Sequence, residues 1–377
     1  MVKNKKFWIL IIVLVVLVIA FFVIPNFIGG QTFYNSGVLL KKEVAENTAP
    51  LTPVIPPLDR VAYDAKLVEL ANNPPPPQPT IKKIKDKKTG EITTVTIPAK
   101  VLPPNIWPVK TVYPNDGAIL PFKRVIAYYG NLYSKGMGVL GQYPEEEMLK
   151  RLQAEVDKWN IADPSTPAIP ALHYIVVTAQ GSPGDSGKYR LRMPDAEIEK
   201  VLTMAKKINA LVFLDIQVGF STIQTELPLL EKYLKLPEVH LGIDPEFSMK
   251  TGIRPGKVVG TYDATDINYV ANYLAKIVRD NKITPKILVV HRYTQKMVTN
   301  AKSITPLPEV EIVMHMDGWG GAAKKINTYQ QFIYKEPVQF TGFKLFYKND
   351  ILTPGTKLMT PEELLKLRPK PSYIQYQ

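Results

Sequence analysis

The sequence predicts a (β/α)8 barrel of the TIM type, preceded by a transmembrane helix and a proline-rich stalk. From residue 124 onward, apolar and β-branched runs alternate with segments whose apolar residues recur at helical spacing. The runs number eight, at residues 124–130, 172–179, 211–217, 239–244, 286–292, 310–317, 338–346 and 372–376. Eight alternations within roughly 255 residues match this barrel in order and size. An open doubly wound sheet would carry a glycine-rich phosphate loop after its first strand, and residues 128–132 do not form one.

The first residues predict a membrane anchor. Residues 7–24 carry no polar or charged side chain, and as a helix they would span roughly 27 Å, near the hydrocarbon thickness of a bilayer. We therefore expect a transmembrane helix within residues 7–28, uncleaved because no A-x-A site follows it. Residues 1–6 hold three lysines. The positive-inside rule then leaves this basic tail in the cytoplasm and places the rest of the chain outside the membrane, at the cell surface.

Residues 29–120 are rich in proline and predict a stalk, because such sequence favours extended polyproline II over a packed core. A short helix is indicated at 58–72 and a hairpin at 81–97. A hairpin alone is marginally stable, so we expect it to dock on the barrel. The barrel domain is assigned to residues 121–377.

The amino-acid composition of the chain limits the kinds of partner it can have. The chain has no cysteine, which excludes a lipoprotein anchor, disulfides and thiolate metal sites, and an exported protein without disulfides fits a bacterial envelope. The net charge of +13 suits contact with an anionic surface such as a cell wall or lipid headgroups. Nucleic acid is not expected, because no binding motif is present and the anchor places the chain in another compartment.

Polar residues at the ends of the predicted strands indicate where a site would form, because active sites of this barrel lie at the carboxyl ends of its strands. Side chains alternate along a strand, so residues two apart share a face. Three such pairs occur: Asp215 and Gln217, Asp244 and Glu246, and His315 and Asp317. Two further strands also end in polar residues, one in His291 and the other in Lys344 and Tyr347. His173 and His240 lie near strand starts and are interpreted as structural.

Two chemistries and one non-catalytic role fit these groups. In glycoside hydrolysis one carboxylic acid protonates the leaving oxygen, and Glu246 would be that acid. In metal-dependent hydrolysis a divalent ion would activate water; its ligands would be His291, His315 and the carboxylates Asp215, Asp244 and Asp317. Barrel amidohydrolases, which use such an ion, carry His-x-His on strand 1 and an aspartate on strand 8, and both are absent here, so we expect no metal or other cofactor. The third hypothesis is a surface barrel that binds a glycan or an envelope protein without cutting it.

Three short motifs resemble family 18 glycoside hydrolases, the chitinase-like barrels. They are Tyr128-Tyr129-Gly130, Gly242-Ile243-Asp244-Pro245-Glu246 and Met314-His315-Met316-Asp317. The family ends strand 4 in D-x-x-D-x-D-x-E and strand 6 in M-x-Y-D. The resemblance implies Glu246 as general acid, Asp244 as the carboxylate that orients a substrate N-acetyl group, and Asp317 as their partner. Val239, Gly242, Met316 and Tyr376 depart from the family pattern.

Sugars stack on flat rings, so aromatic residues near strand ends predict substrate contacts. They are Tyr128, Tyr129, Tyr133, Phe220, Phe247, Tyr293, Trp319, Phe346 and Tyr347. Trp319, in a glycine-rich turn, is the strongest candidate for a sugar platform. The substrate-binding set is therefore predicted as Tyr128, Tyr129, Gln217, His291, His315, Trp319, Lys344 and Tyr347, around the catalytic candidates Glu246, Asp244, Asp317 and Asp215. The sequence predicts a membrane-anchored protein acting on N-acetylhexosamine glycans of the cell wall or extracellular space.

Overall fold

The computed structural model describes residues 55–85, 87, 89–100 and 103–377. The predicted cytoplasmic tail (1–6), anchor (7–28) and first part of the stalk lie outside the described residues. Within the described ranges, no helix combines the length and the apolar character needed to cross a membrane.

The described part of the predicted stalk holds a helix and a hairpin. Helix α1 (Arg60–Ala71) begins at Asp59, whose carboxylate accepts a hydrogen bond from the Ala62 amide. Strands β1 (Thr80–Lys85) and β2 (Ile92–Ile97) pair antiparallel. We expected the hairpin to dock on the barrel. Every residue of both strands is exposed, so the hairpin does not pack on it.

Eight parallel strands close into a barrel, which confirms the predicted fold class of the C-terminal domain. Each strand pairs with the next one along the chain, and the last pairs with the first. The barrel strands are β3 (Arg124–Gly130), β4 (Ala168–Ala179), β6 (Leu211–Ile216), β7 (Val239–Ile243), β9 (Lys286–Arg292), β11 (Val310–Met316), β12 (Phe340–Leu345) and β13 (Tyr373–Tyr376). Three short strands lie between them: β5 (Arg190–Arg192), β8 (Tyr262–Asp263) and β10 (Val298–Thr299).

Helices connect the strands. They are α2 (Val139–Gln142), α3 (Glu145–Ala162), α4 (Asp195–Lys206), α5 (Ile223–Glu226), α6 (Glu231–Leu234), α7 (Ala264–Asn281), α8 (Ala322–Thr328) and α9 (Pro361–Leu364). Helix α7 shows why such segments fold. Its start is fixed by a reciprocal capping box between Asp263 and Asp266, and its apolar residues at three- and four-residue spacing are buried on one face.

The N-terminal end of the barrel is covered by the chain that precedes it. Tyr63 of α1 and Leu120 are buried against the lower barrel core, beside Val125 and Phe213. The Glu311 carboxylate of β11 accepts hydrogen bonds from the amides of Ile119 and Leu120, at 3.2 and 2.7 Å. Residues 55–377 form one compact unit, in which apolar side chains from the proline-rich segment complete the barrel core.

Candidate functional site

A cavity of about 510 Å³ opens at the carboxyl ends of the strands. The three residues central to the glycosidase hypothesis, Asp244, Glu246 and Asp317, all line it. Four further residues of the predicted site also line it: Tyr129, Gln217, Trp319 and Lys344. The alternation of side chains along the strands thus brings these residues, from five strand ends or the loops after them, to one place.

Glu246 follows β7 in a tight turn set by its own sequence. The Asp244 carboxylate accepts a hydrogen bond of 3.0 Å from the Glu246 amide, and Pro245 opens a single 3₁₀ turn. Burial raises the pKa of Glu246 and the negative charge of Asp317 raises it further, against a hydrogen bond from Tyr293. A carboxylic acid that keeps its proton at higher pH is suited to general acid catalysis.

Asp244 is buried beside Glu246 and held by two hydrogen bonds. Its second carboxylate oxygen accepts from the Gln217 side-chain amide at 3.3 Å. Burial raises the pKa of Asp244 well above its ordinary value, and the nearby His291 offsets this only in part.

Asp317 lies in the opposite electrostatic environment. Lys344 Nζ is 2.9 Å from one carboxylate oxygen, and His291 Nδ1 is 2.8 Å from the other. Burial alone would raise the pKa of Asp317, but Lys344 and His291 outweigh it and hold the pKa below its ordinary value. Lys344 Nζ also lies 3.9 Å from the centre of the Tyr129 ring. The cavity thus combines carboxyl groups of raised and lowered pKa.

A second layer of polar residues lies directly beneath the cavity. Asp215 is fully buried under the cavity lining, and it accepts a 3.0 Å hydrogen bond from the Tyr129 hydroxyl. His173 is 3.3 Å from Asp215 and belongs to this layer. It lies within β4 and not near the start of the strand, because β4 begins at Ala168 and not at residue 172; Pro170 concealed the earlier start.

Four predicted substrate-binding residues lie away from the cavity. His291 and His315 face the barrel interior and are fully buried, one layer below the mouth. Tyr128 points to the outside of the barrel because it neighbours the inward-facing Tyr129, and its hydroxyl lies 3.2 Å from that of Tyr347. Tyr347 lines a separate pocket of about 80 Å³ and donates a hydrogen bond to Glu155 of α3.

The rim of the cavity carries Trp319, whose side chain is 51% exposed. Lys324 Nζ lies 4.6 Å from its ring centre. Three aromatic residues noted near strand ends, Phe247, Tyr293 and Phe346, also line the cavity. Lys324, Met137 and Gln377 line it as well and were missed, because they lie on loops or at the chain terminus, where no periodicity signals orientation.

The fold and site together define a (β/α)8 barrel with a carboxyl-lined cavity at its C-terminal mouth. No protein-family model matches the chain and no curated protein matches it. Among solved structures, a ruminal GH26 endo-beta-1,4-mannanase shares 11% identity, covering 76% of this chain and 67% of that chain, with a TM-score of 0.35. The YdhT protein of Bacillus subtilis shares 12% identity, over 71% of this chain and 89% of that chain, with a TM-score of 0.37.

The mannanase man26 of Bacillus subtilis is equally distant, at 13% identity over 68% of this chain and 79% of that chain, with a TM-score of 0.36. Structural similarities as weak as these give no evidence about activity. The resemblance to family 18 gains no support from these comparisons.

Proposed function

We propose that this protein is a glycoside hydrolase of the cell envelope, with Glu246 as its general acid. One observation supports the proposal above the others: Glu246, a carboxyl group of raised pKa, lines an open cavity together with Asp244 and the Lys344-paired Asp317. Carboxyl groups in contrasting environments around one cavity are what glycosidic bond cleavage requires.

In the proposed reaction Glu246 donates its proton to the glycosidic oxygen as the bond to the anomeric carbon breaks. The substrate we propose carries N-acetylhexosamine units, whose acetamido oxygen attacks the anomeric carbon while Asp244 holds the acetamido N–H. Asp317 adds negative charge near the developing positive charge on the sugar ring. Trp319, half exposed at the rim, offers a flat surface for an adjoining sugar.

The test is cleavage of chitin and peptidoglycan fragments by wild type and by Glu246→Gln. Loss of a positioned general acid is expected to lower kcat by about 10²–10⁴-fold. Glu146→Gln, an exposed change on α3, is the matched control and should retain full activity. Cleavage that persists in Glu246→Gln would show that another group is the acid.

The main alternative is a barrel that binds glycans without cutting them, and the same experiment separates it. Binding of the oligosaccharides by wild type without release of shorter products would favour it. The metal-dependent hydrolase is less well supported, because His291 and His315 are fully buried beneath the cavity and not exposed to a substrate within it.

A further inference from the structure

Three buried side-chain atoms converge beneath the floor of the cavity. His173 Nε2 lies 3.3 Å from Asp215 Oδ1, and His291 Nε2 lies 3.4 Å from the same oxygen. All three side chains have 0% exposure, and the three atoms lie within 4.8 Å of one another. The separations exceed the roughly 2.7–2.9 Å of a charge-assisted hydrogen bond, and none of these atoms has a well-formed hydrogen bond within the described ranges.

The remaining polar atom of each side chain is already engaged. His173 Nδ1 is 2.5 Å from the Tyr373 hydroxyl, and His291 Nδ1 is 2.8 Å from Asp317. Asp215 Oδ2 accepts the hydrogen bond from Tyr129. Each side chain is therefore oriented by an outer partner and directs one atom to a shared point. Metal-binding histidines are held in this way, with the second ring nitrogen bonded to a carboxylate or another polar group.

We propose that His173, Asp215 and His291 bind a divalent transition-metal ion, and that Zn²⁺ is the ion this ligand set suits best. Tetrahedral bonds of about 2.0–2.1 Å place neighbouring ligand atoms about 3.3–3.4 Å apart. The two separations from Asp215 Oδ1 match that spacing. Two imidazoles and one carboxylate favour zinc over calcium or magnesium, which take oxygen ligands.

Gly242 of β7 permits the ligands to approach one another. A Cβ atom at this position would lie 2.4 Å from both Asp215 Oδ1 and His173 Nε2. Any larger residue would displace both side chains from the shared point. Glycine inside a strand is typical of such a close approach.

The ion would act on the cavity indirectly. Its ligands lie under the cavity lining, so it does not offer a bound water to a substrate. An ion on His291 Nε2 keeps the ring proton on Nδ1, where it is donated to Asp317. The ion thereby positions Asp317 and stabilises the barrel interior, and this role is separate from proton donation by Glu246.

A proton is the competing occupant of the same atoms. Burial lowers the pKa of His291, but Asp215 and Asp317 more than offset this and raise it to about 10. Protonated His291 would bind Asp215 without any metal. Direct metal analysis distinguishes the two cases.

The experiment measures metal content by mass spectrometry on the purified full-length protein after incubation with Zn²⁺ and removal of the excess. We expect about one zinc per chain, and we expect the thermal midpoint to fall after chelation and to recover when Zn²⁺ is restored. Cobalt should replace zinc and give the visible absorption of a tetrahedral site. Wild type that retains no zinc and shows no shift in midpoint would overturn the proposal.

Variants assign the ligands. His173→Gln and Asp215→Asn should lose the metal, whereas His240→Gln, a change at another buried histidine of the barrel interior, should keep it. Full zinc content in His173→Gln or Asp215→Asn would contradict the assignment. If these variants do not fold, the chelation and restoration measurements on wild type still decide. Glu246→Gln should retain its zinc, so failure of the glycosidase proposal and failure of the metal proposal are distinguishable.

Discussion

At the scale of single residues, Lys344 shows how the site depends on a buried ion pair. Lys344 and Asp317 are 3% and 6% exposed, and their charges compensate each other inside the mouth. Lys344→Met leaves the Asp317 carboxylate without this partner, and loss of one member of a buried pair costs about 3–5 kcal/mol. We expect a reduction of that order in the free energy of unfolding, measured by urea titration.

Two comparisons isolate the pairing effect of Lys344. Lys348→Met, at an exposed neighbouring lysine, should change the stability by less than about 0.5 kcal/mol. The double variant Lys344→Met/Asp317→Asn removes both charges and should recover part of the loss. Equal stability of Lys344→Met and wild type would contradict the ion-pair interpretation.

Glu311 gives a pH dependence with a defined sign. Burial raises the pKa of Glu311 from 4.5 to about 8, against the hydrogen bonds from Leu120 and Ile119. Between these two values the folded state binds more protons than the unfolded state, so the free energy of unfolding contributed by Glu311 decreases as pH rises through that window. We expect Glu311→Gln to flatten the fall in stability between about pH 5 and 8, measured by urea titration at several pH values. Glu146→Gln should keep the wild-type slope, and an unchanged slope in Glu311→Gln would refute the assignment.

The candidate site could be predicted from the sequence only in part, because the prediction of each residue depends on strand periodicity and on where its strand begins and ends. Asp244, Glu246 and Asp317 lie in one cavity because the two-residue period of a strand and the strand-end rule both apply to them. Tyr128, predicted to bind substrate like Tyr129, does not line the cavity, because adjacent strand residues face opposite ways. The position of His173 within β4 was not predicted, because Pro170 lies near the true start of the strand at Ala168.

At the scale of elements, α1 is expected to be part of the folded unit. Its Tyr63 is 2% exposed and closes the N-terminal end of the barrel together with Leu120. A chain that begins at residue 121 loses both side chains, so we expect it to melt at lower temperature than a chain that begins at residue 55 and to bind a hydrophobic dye. Calorimetry and dye fluorescence measure these effects.

The exposed hairpin provides the comparison for α1. All residues of β1 and β2 are exposed, so replacing residues 80–97 with a glycine-serine linker should leave the melting temperature within a degree or two of the starting value. A large loss of stability on this replacement would show that the hairpin packs on the barrel after all.

Strands that are buried on both faces were easier to predict than strands that could be either exposed or covered. The barrel strands are buried on both sides and read as continuous apolar runs, so their positions followed from the sequence. Docking of the hairpin was expected because an isolated hairpin is marginally stable, yet its apolar residues such as Ile81 and Ile92 are exposed. Local pattern alone does not tell whether a partner surface covers such residues.

At the scale of the whole molecule, membrane attachment through residues 7–28 stays a prediction from sequence. We expect the full chain expressed in bacteria to sediment with membranes and to resist extraction by carbonate, whereas a chain beginning at residue 55 should be released in soluble form. Protease added to intact cells with a permeable outer layer should degrade the barrel domain. Recovery of the full chain in the soluble fraction would contradict the anchor, and protection of the domain would contradict the orientation.

The closure of the barrel depends on its last strand. β13 holds only four residues, yet it pairs with β12 on one side and with β3 on the other, and Gln377, which follows it, lines the cavity. During synthesis, β3 leaves the ribosome about 250 residues before its partner β13, so the first barrel strand waits with one edge unpaired until β13 has been made. The cavity consequently cannot assemble before β13 has left the ribosome, and products that terminate before β13 should expose strand edges that recruit chaperones.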